Sequence, residues 1–351
     1  MATIKSTSYN IYVGEKSFDE LNKFIKKQSY SKYVIICDEN SLTHCLPKLL
    51  FNCEVLNQAE IIELESGEEN KTLETCTQVW GALTDIGVDK KSLIINLGGG
   101  VVSDLGGFVA SVFKRGIHFI NIPTTLLSMV DASVGGKTGI DFSGIKNLIG
   151  TITEPKAIFA NPVFLETLPL RQIKNGYAEV IKIALISDAA FWLVLKKLKN
   201  SIQFRNEEII TKAIELKNVI VKKDLHEENI RKSLNFGHSI GHALESALIK
   251  QEKDILHGEA VAAGTIMETQ IAYQQKRITK KECDEICIYL HSIYPKIKIT
   301  KETQALMMEY IKHDKKNEGG ALCFALPKSI GKYELSCIVM PQDVKNVIEL
   351  Y

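Results

Sequence analysis

Two histidines four residues apart, His238 and His242 in LNFGHSIGHALE, fall on one face of a helix. A third, His257, follows in LHGEAVAAG, and Glu179 precedes them in GYAEVIKIALI. A lone histidine on an apolar helix is ordinarily a core residue. Three imidazoles and a carboxylate, each beside glycine or another small residue, shift the balance toward a metal. One carboxylate and two imidazoles make a catalytic zinc set with a coordination position left open. One histidine is then left over, and a free imidazole beside a metal is a natural proton carrier. Spacing alone leaves open which of His238 and His242 is the ligand. HxxxH lacks the glutamate of HExxH, which speaks against peptide hydrolysis.

Cations and amides cluster around these groups in sequence. Lys182 lies three residues after Glu179 on the same face, and Arg231 and Asn235 precede His238. Lys217 and Lys222 sit on the helix before, although a solvated face is the better account of Lys222. A substrate carrying carboxylate and phosphate groups explains the rest most simply.

Further upstream, IINLGGGVVSDLGG places Gly98, Gly99 and Gly100 between a strand and a helix. Such a turn lets backbone approach a pyrophosphate, with the helix N-terminus supplying free N–H groups. It departs from the dinucleotide fingerprint, with Ser103 where a third glycine belongs and no acid at the usual place downstream. Asp38, closing VIICD, can hold a ribose from an earlier strand. A tight structural turn accounts for the glycines equally well. Residues 123–150, PTTLLSMVDASVGGKTGIDFSGIKNLIG, gather Asp131, Lys137, Lys146 and Asn147 among flexible glycines. Glycine N–H groups and an ammonium suit phosphate. The spacing is not that of a Walker A loop, and the segment is long for a casual connection.

The elements that must position these residues divide in two. In the first half, strand-like stretches (YNIYVG, YVIICD, SLIINLG, IHFINIP) alternate with helical ones (FDELNKFIKK, LETCTQVWGALTDIG), the pattern of an α/β parallel sheet. Beyond about residue 155, apolar residues recur at helical spacing, and only GGALCFALP and YELSCIVM read as a late hairpin. The expectation is an α/β N-terminal domain with a Rossmann-like parallel sheet, residues 1–155, and a mainly α-helical domain, residues 156–351, with the active site in the cleft between them.

The chain has 351 residues and a net charge of +1, so nothing in the bulk charge draws it to nucleic acid or a membrane. No apolar run reaches transmembrane length and no signal pattern opens the sequence. Its eight cysteines, without a CxxC, read as reduced thiols. A cytoplasmic location is expected.

In order, GGGVVSDLGGFVAS, RGIHFINIPTTLLSMVDASVGGKTGI, KNLIG, AEVIK, LNFGHSIGHALE, LHGEAV and DKK resemble the 3-dehydroquinate synthase family, from about residue 95 to 320. The resemblance implies that Glu179, His238 and His257 hold zinc, with cobalt as an alternative, and that His242 is the acid/base. It implies substrate contacts from Asp131, Lys137, Lys146, Asn147, Lys182, Lys217, Arg231, Asn235 and one of Lys315 and Lys316. It implies NAD on Gly99, Gly100, Val101, Asp104, Thr124, Thr125, Leu127, Lys137 and Lys146, with Asp38, Asn40, Glu68 and Lys71 around its adenosine half. Arg115 resembles an arginine that reaches the phosphate site of a neighbouring subunit, which implies a homodimer. The implied reaction takes a seven-carbon keto acid phosphate through transient oxidation, phosphate loss, reduction and aldol closure. Ile183, Ala184 and Ile145 depart from common family residues without removing a polar catalytic type. The rivals are a sibling sugar phosphate cyclase, a metal-dependent polyol dehydrogenase and a non-catalytic NAD- or metal-binding protein.

Overall fold

LIINLG, Leu93–Gly98, is buried at every position, as expected of a strand covered on both faces. In the computed structural model, which describes residues 2–143, 145–198, 200–313 and 322–351, this strand lies inside a seven-stranded sheet. The strands in chain order are β1 (Ala2–Lys5), β2 (Asn10–Val13), β3 (Tyr33–Asp38), β4 (Glu60–Leu64), β5 (Leu93–Gly98), β6 (His118–Pro123), the hairpin β7 (Lys137–Phe142) and β8 (Ile145–Ile152), and β9 (Ala157–Ala160). The sheet runs β1-β2-β9-β6-β5-β3-β4, and every pairing is parallel except that of edge strand β1 with β2.

Helices of this part are α1 (Ser17–Lys27), α2 (Glu39–His44), α3 (Leu46–Asn52), α4 (Leu73–Asp85) and α5 (Gly100–Val112). One core forms where Val79 and Leu83 of α4 and Val102, Leu105 and Val109 of α5 meet Val34, Ile36 and Ile94. Because β6, β5 and β3 are parallel neighbours, their C-terminal ends share one edge. Asp38, Gly98 and Pro123 close those strands there, and ligands of open α/β sheets bind at that edge.

The rest is mainly helical: α6 (Leu170–Ser187), α7 (Ala189–Leu195), α8 (Glu207–Lys223), α9 (His238–Lys250), α10 (His257–Gln274), α11 (Lys280–Ile293), α12 (Lys301–His313) and α13 (Pro341–Leu350), with a late antiparallel hairpin of β10 (Leu322–Ser329) and β11 (Lys332–Val339). The chain forms two units, residues 1–169 with 205–218, and residues 170–204 with 219–351. This differs from the boundary expected near residue 155. β9 lies beyond that point yet is a buried strand of the sheet, and the first part of α8 returns to the first unit. The segment 123–150 is not a continuous loop either. It holds a π-helical turn, Ser128–Ala132, and the β7–β8 ribbon.

In the second unit, α9 and α10 cross at glycines. A Cβ on Gly241 would stand 2.9 Å from the Ala260 carbonyl oxygen, and one on Gly264 2.6 Å from the Gly241 nitrogen. Neither helix could approach so closely with side chains there. All eight cysteines are free thiols, and among the described residues no helix is long and apolar enough to cross a membrane.

Candidate active site

The α9–α10 crossing brings the three histidines together. Ring centroids are 4.9 Å apart for His238 and His242, 5.4 Å for His238 and His257, and 5.6 Å for His242 and His257. Each offers a ring nitrogen, and the three nitrogens lie within 4.8 Å of one another. Glu179, on the buried face of α6, completes the group. Its Oε1 is 3.5 Å from His238 Nε2 and 3.6 Å from His257 Nε2.

Several contacts set this geometry. Arg171, at the start of α6, donates from Nε and Nη2 to both oxygens of Glu259 at 2.7 and 2.8 Å and also pairs with Asp254. Asn175, one turn before Glu179, accepts the Gly258 N–H at 2.6 Å. These bonds fix the start of α10, and so His257, against α6. His238 Nδ1 donates to the Phe236 carbonyl at 3.2 Å, and His257 Nδ1 faces Glu245 Oε2 at 3.4 Å. A carbonyl or carboxylate only accepts, so both Nδ1 atoms carry protons and both Nε2 atoms face Glu179.

The electrostatics suit a cation. Neither oxygen of the buried Glu179 accepts a well-formed hydrogen bond, although the Lys182 ammonium presses on Oε2. Burial opposes ionisation of Glu179, yet Lys182 and His257 hold its pKa down at about 2. Burial, reinforced by Lys182 and the other two imidazoles, keeps His238 neutral with its pKa well below 6.5. Burial opposes a charge on His257, but Glu179 and Glu245 outweigh it and raise its pKa to about 10, so here it carries a proton that a cation would displace. An anionic carboxylate beside two imidazoles whose Nε2 atoms face its Oε1 is the donor set of a divalent cation, so the residues fit one. His242 is the exposed member of the trio.

Near this cluster in sequence, Arg231 and Asn235 lie on a 3-10 turn, Ile230–Asn235. Asp224 accepts backbone N–H groups from Glu228, Asn229 and Arg231 at 3.0, 2.7 and 2.9 Å. The buried Arg231 donates from Nη1 to the Leu225 carbonyl at 2.6 Å, and Asn235 donates to Glu227 Oε1 at 2.7 Å.

The first unit holds the remaining expected residues. Lys71, 2% exposed, donates to Asp104 Oδ2 at 2.8 Å and Asn147 Oδ1 at 2.5 Å, and lies 3.4 Å from Glu68 Oε1. Three residues expected at the nucleotide and one expected at the substrate thus form one cluster. The buried Lys217, on α8, donates to Asp131 Oδ1 at 2.5 Å and to its carbonyl at 2.6 Å. Gly99 is the N-cap of α5, Gly100 opens it, and Val101 follows in the first turn. Thr124 donates its N–H to Gly98 at 2.9 Å, and Thr125 exchanges bonds with Ser128, with Leu127 between them. Asp38 caps α2 by accepting the Ser41 N–H at 2.7 Å, and Asn40 lies in that helix.

Lys137 opens β7 opposite Ile152, whereas Lys146 follows the turn, so the two cations stand at opposite ends of the ribbon. Arg115 is exposed, and it and Lys114 both adopt positive φ, 63° and 49°, which non-glycine residues seldom do. Lys315 and Lys316 lie outside the described residues. Sequence reasoning missed Glu245 and Asp224. The spacing of Glu245, three residues after His242 on one helical face, was the available signal for the first.

Residues 61–175 match the model of the 3-dehydroquinate synthase N-terminal family, and residues 176–317 match that of the C-terminal family. The chain belongs to the 3-dehydroquinate synthase family. It is 37% identical to the 3-dehydroquinate synthase of Parabacteroides distasonis, over 95% of this chain and 94% of that one. Among solved structures, a 2-deoxy-scyllo-inosose synthase complexed with carbaglucose-6-phosphate, NAD+ and Co2+ is similar with a TM-score of 0.86 and 25% identity, covering 99% of each chain. The 2-epi-5-epi-valiolone synthase of Streptomyces hygroscopicus, with NAD+ and Zn2+ bound, has a TM-score of 0.86 at 24% identity, covering 100% of this chain and 98% of that one, and shows the shared fold. The expected family and fold class stand.

Proposed function

We propose that the chain converts 3-deoxy-D-arabino-heptulosonate 7-phosphate to 3-dehydroquinate and phosphate, as an NAD- and divalent-metal-dependent phosphorus-oxygen lyase. Full-length similarity to 3-dehydroquinate synthases supports this over the sibling cyclases and the polyol dehydrogenases. The observation that supports the site assignment is the buried Glu179, whose Oε1 faces the Nε2 atoms of His238 and His257 at 3.5 and 3.6 Å.

A divalent cation held there would supply Lewis-acid activation of a substrate hydroxyl and NAD would supply reversible hydride transfer; a ketone so formed in the substrate acidifies the neighbouring C–H, which lets phosphate leave from the carbon beyond it. Glu179, His238 and His257 hold the cation. His242, exposed beside them, carries protons to and from substrate oxygen. Lys182, Arg231, Asn235, Asp131, Lys137, Lys146, Asn147 and Lys217 bind the carboxylate, hydroxyls and phosphate. The strand-end group of Asp38, Gly99, Gly100, Thr124 and Thr125, together with Lys71 and Asp104, takes the nucleotide. The same account makes the protein a cytoplasmic homodimer, with Arg115 serving the neighbouring subunit.

Phosphate release is the test. Release from the heptulosonate phosphate, abolished by a chelator and without net NADH, is expected. Release from sedoheptulose 7-phosphate but not from the heptulosonate would overturn the proposal.

A further inference from the structure

Glu268 is fully buried on α10 and belongs to none of the groups described above. It follows His257 by eleven residues, close to three helical turns, so the two project from one face of α10. That face packs on α9. Glu268 Oε2 accepts the Gly237 N–H at 2.6 Å and Oε1 accepts the Ile240 N–H at 3.0 Å. These are donors at the N-terminus of α9, whose own N-cap, Gly237, has no side chain to satisfy them. Gly237 is left-handed (φ 79°), and a Cβ there would strike the Thr265 hydroxyl of α10. A side-chain cap at position 237 is therefore barred, and Glu268 of α10 accepts these N–H groups instead.

The cap holds the part of the chain that aims His238. The imidazole is fixed by its own backbone and by the Phe236 carbonyl, and Glu268 clamps both sides of that segment, at Gly237 and at Ile240. We propose that Glu268 is a positioning residue for the metal centre, holding His238 Nε2 toward Glu179 and His257 before any cation arrives. This rests on the assignment of Glu179, His238 and His257 as cation ligands. Both carboxylate oxygens act as acceptors, so a glutamine would turn an N–H toward one of the two backbone donors.

The test uses full-length protein stripped with a chelator. Zn2+ affinity is measured by competition with a chromophoric chelator for wild type, Glu268→Gln and His238→Ala, together with the thermal midpoint of each apo form. Glu268→Gln is expected to stay folded and bind Zn2+ about 10–100-fold more weakly than wild type, the usual loss when a partner behind a ligand is removed. A lowered apo midpoint with wild-type Zn2+ affinity would show a purely structural cap and overturn the proposal. Should Glu268→Gln fail to fold, hydrogen exchange in apo wild type decides: protected Gly237 and Ile240 amides support a preformed clamp, and exchange at the rate of an open loop overturns it. Undiminished Zn2+ binding by His238→Ala would instead overturn the ligand assignment itself, and the proposal with it.

Discussion

His238 Nε2 and Glu179 Oε1 lie 3.5 Å apart, and His257 Nε2 reaches the same oxygen at 3.6 Å. Two imidazoles and a buried carboxylate thus converge from three helices, and each imidazole is oriented by a bond at its far nitrogen. The imidazoles are held by a carbonyl in one case and a carboxylate in the other, which is how metal-bound histidines are ordinarily oriented.

Glu245 orients His257, so Glu245→Gln should weaken Zn2+ binding by about 10–100-fold and leave the fold intact. Chelator competition measures the first and circular dichroism the second. Wild-type affinity in the variant would remove Glu245 from the account.

Lys71 is almost wholly buried with Asp104 and Asn147 on its ammonium. Burial disfavours its charge, but Asp104 and Glu68 outweigh that and keep it protonated. Removing one partner of such a pair strands the other, so Lys71→Met should cost about 3–5 kcal/mol in urea unfolding. Loss of NAD binding is expected in the same variant. Unchanged NAD affinity would dismiss Lys71 as a nucleotide residue.

Asp224 supports the turn that carries Arg231 and Asn235. Burial opposes its charge, but three backbone N–H groups outweigh it and hold the pKa below 3.8. A depressed folded pKa contributes stability that is complete above the unfolded value and is lost as pH falls through the folded one. Asp224→Asn should therefore be less stable than wild type at neutral pH by roughly 1–3 kcal/mol, with the gap closing below about pH 4. A gap independent of pH would contradict the charged-acceptor role.

Much of this was legible in the sequence. Apolar runs such as Leu93–Gly98 announced the buried parallel strands, and Gly99 and Gly100 marked the turn into α5. Helical spacing placed His238 and His242 on one face. The β7–β8 ribbon is hidden in the sequence because its glycines and interspersed polar residues read as a loop. The sequence puts a boundary near residue 155, ahead of β9, because β9 is only four residues long and follows a proline-containing stretch. Asp131 and Lys217, or Lys71 and Asn147, lie far apart in sequence, so no local spacing could announce their pairing. Glu268 sits in an apolar helical run with no local partner in sequence, and only the α9–α10 crossing shows what it holds.

The division of labour between His238 and His242 is the central claim. Zinc content by elemental analysis, on purified wild type and the single alanine variants of Glu179, His238, His257 and His242, tests it most directly. The first three variants should lose the metal, while His242→Ala should retain it and release no phosphate. Equal zinc in the His238 and His242 variants would contradict the account.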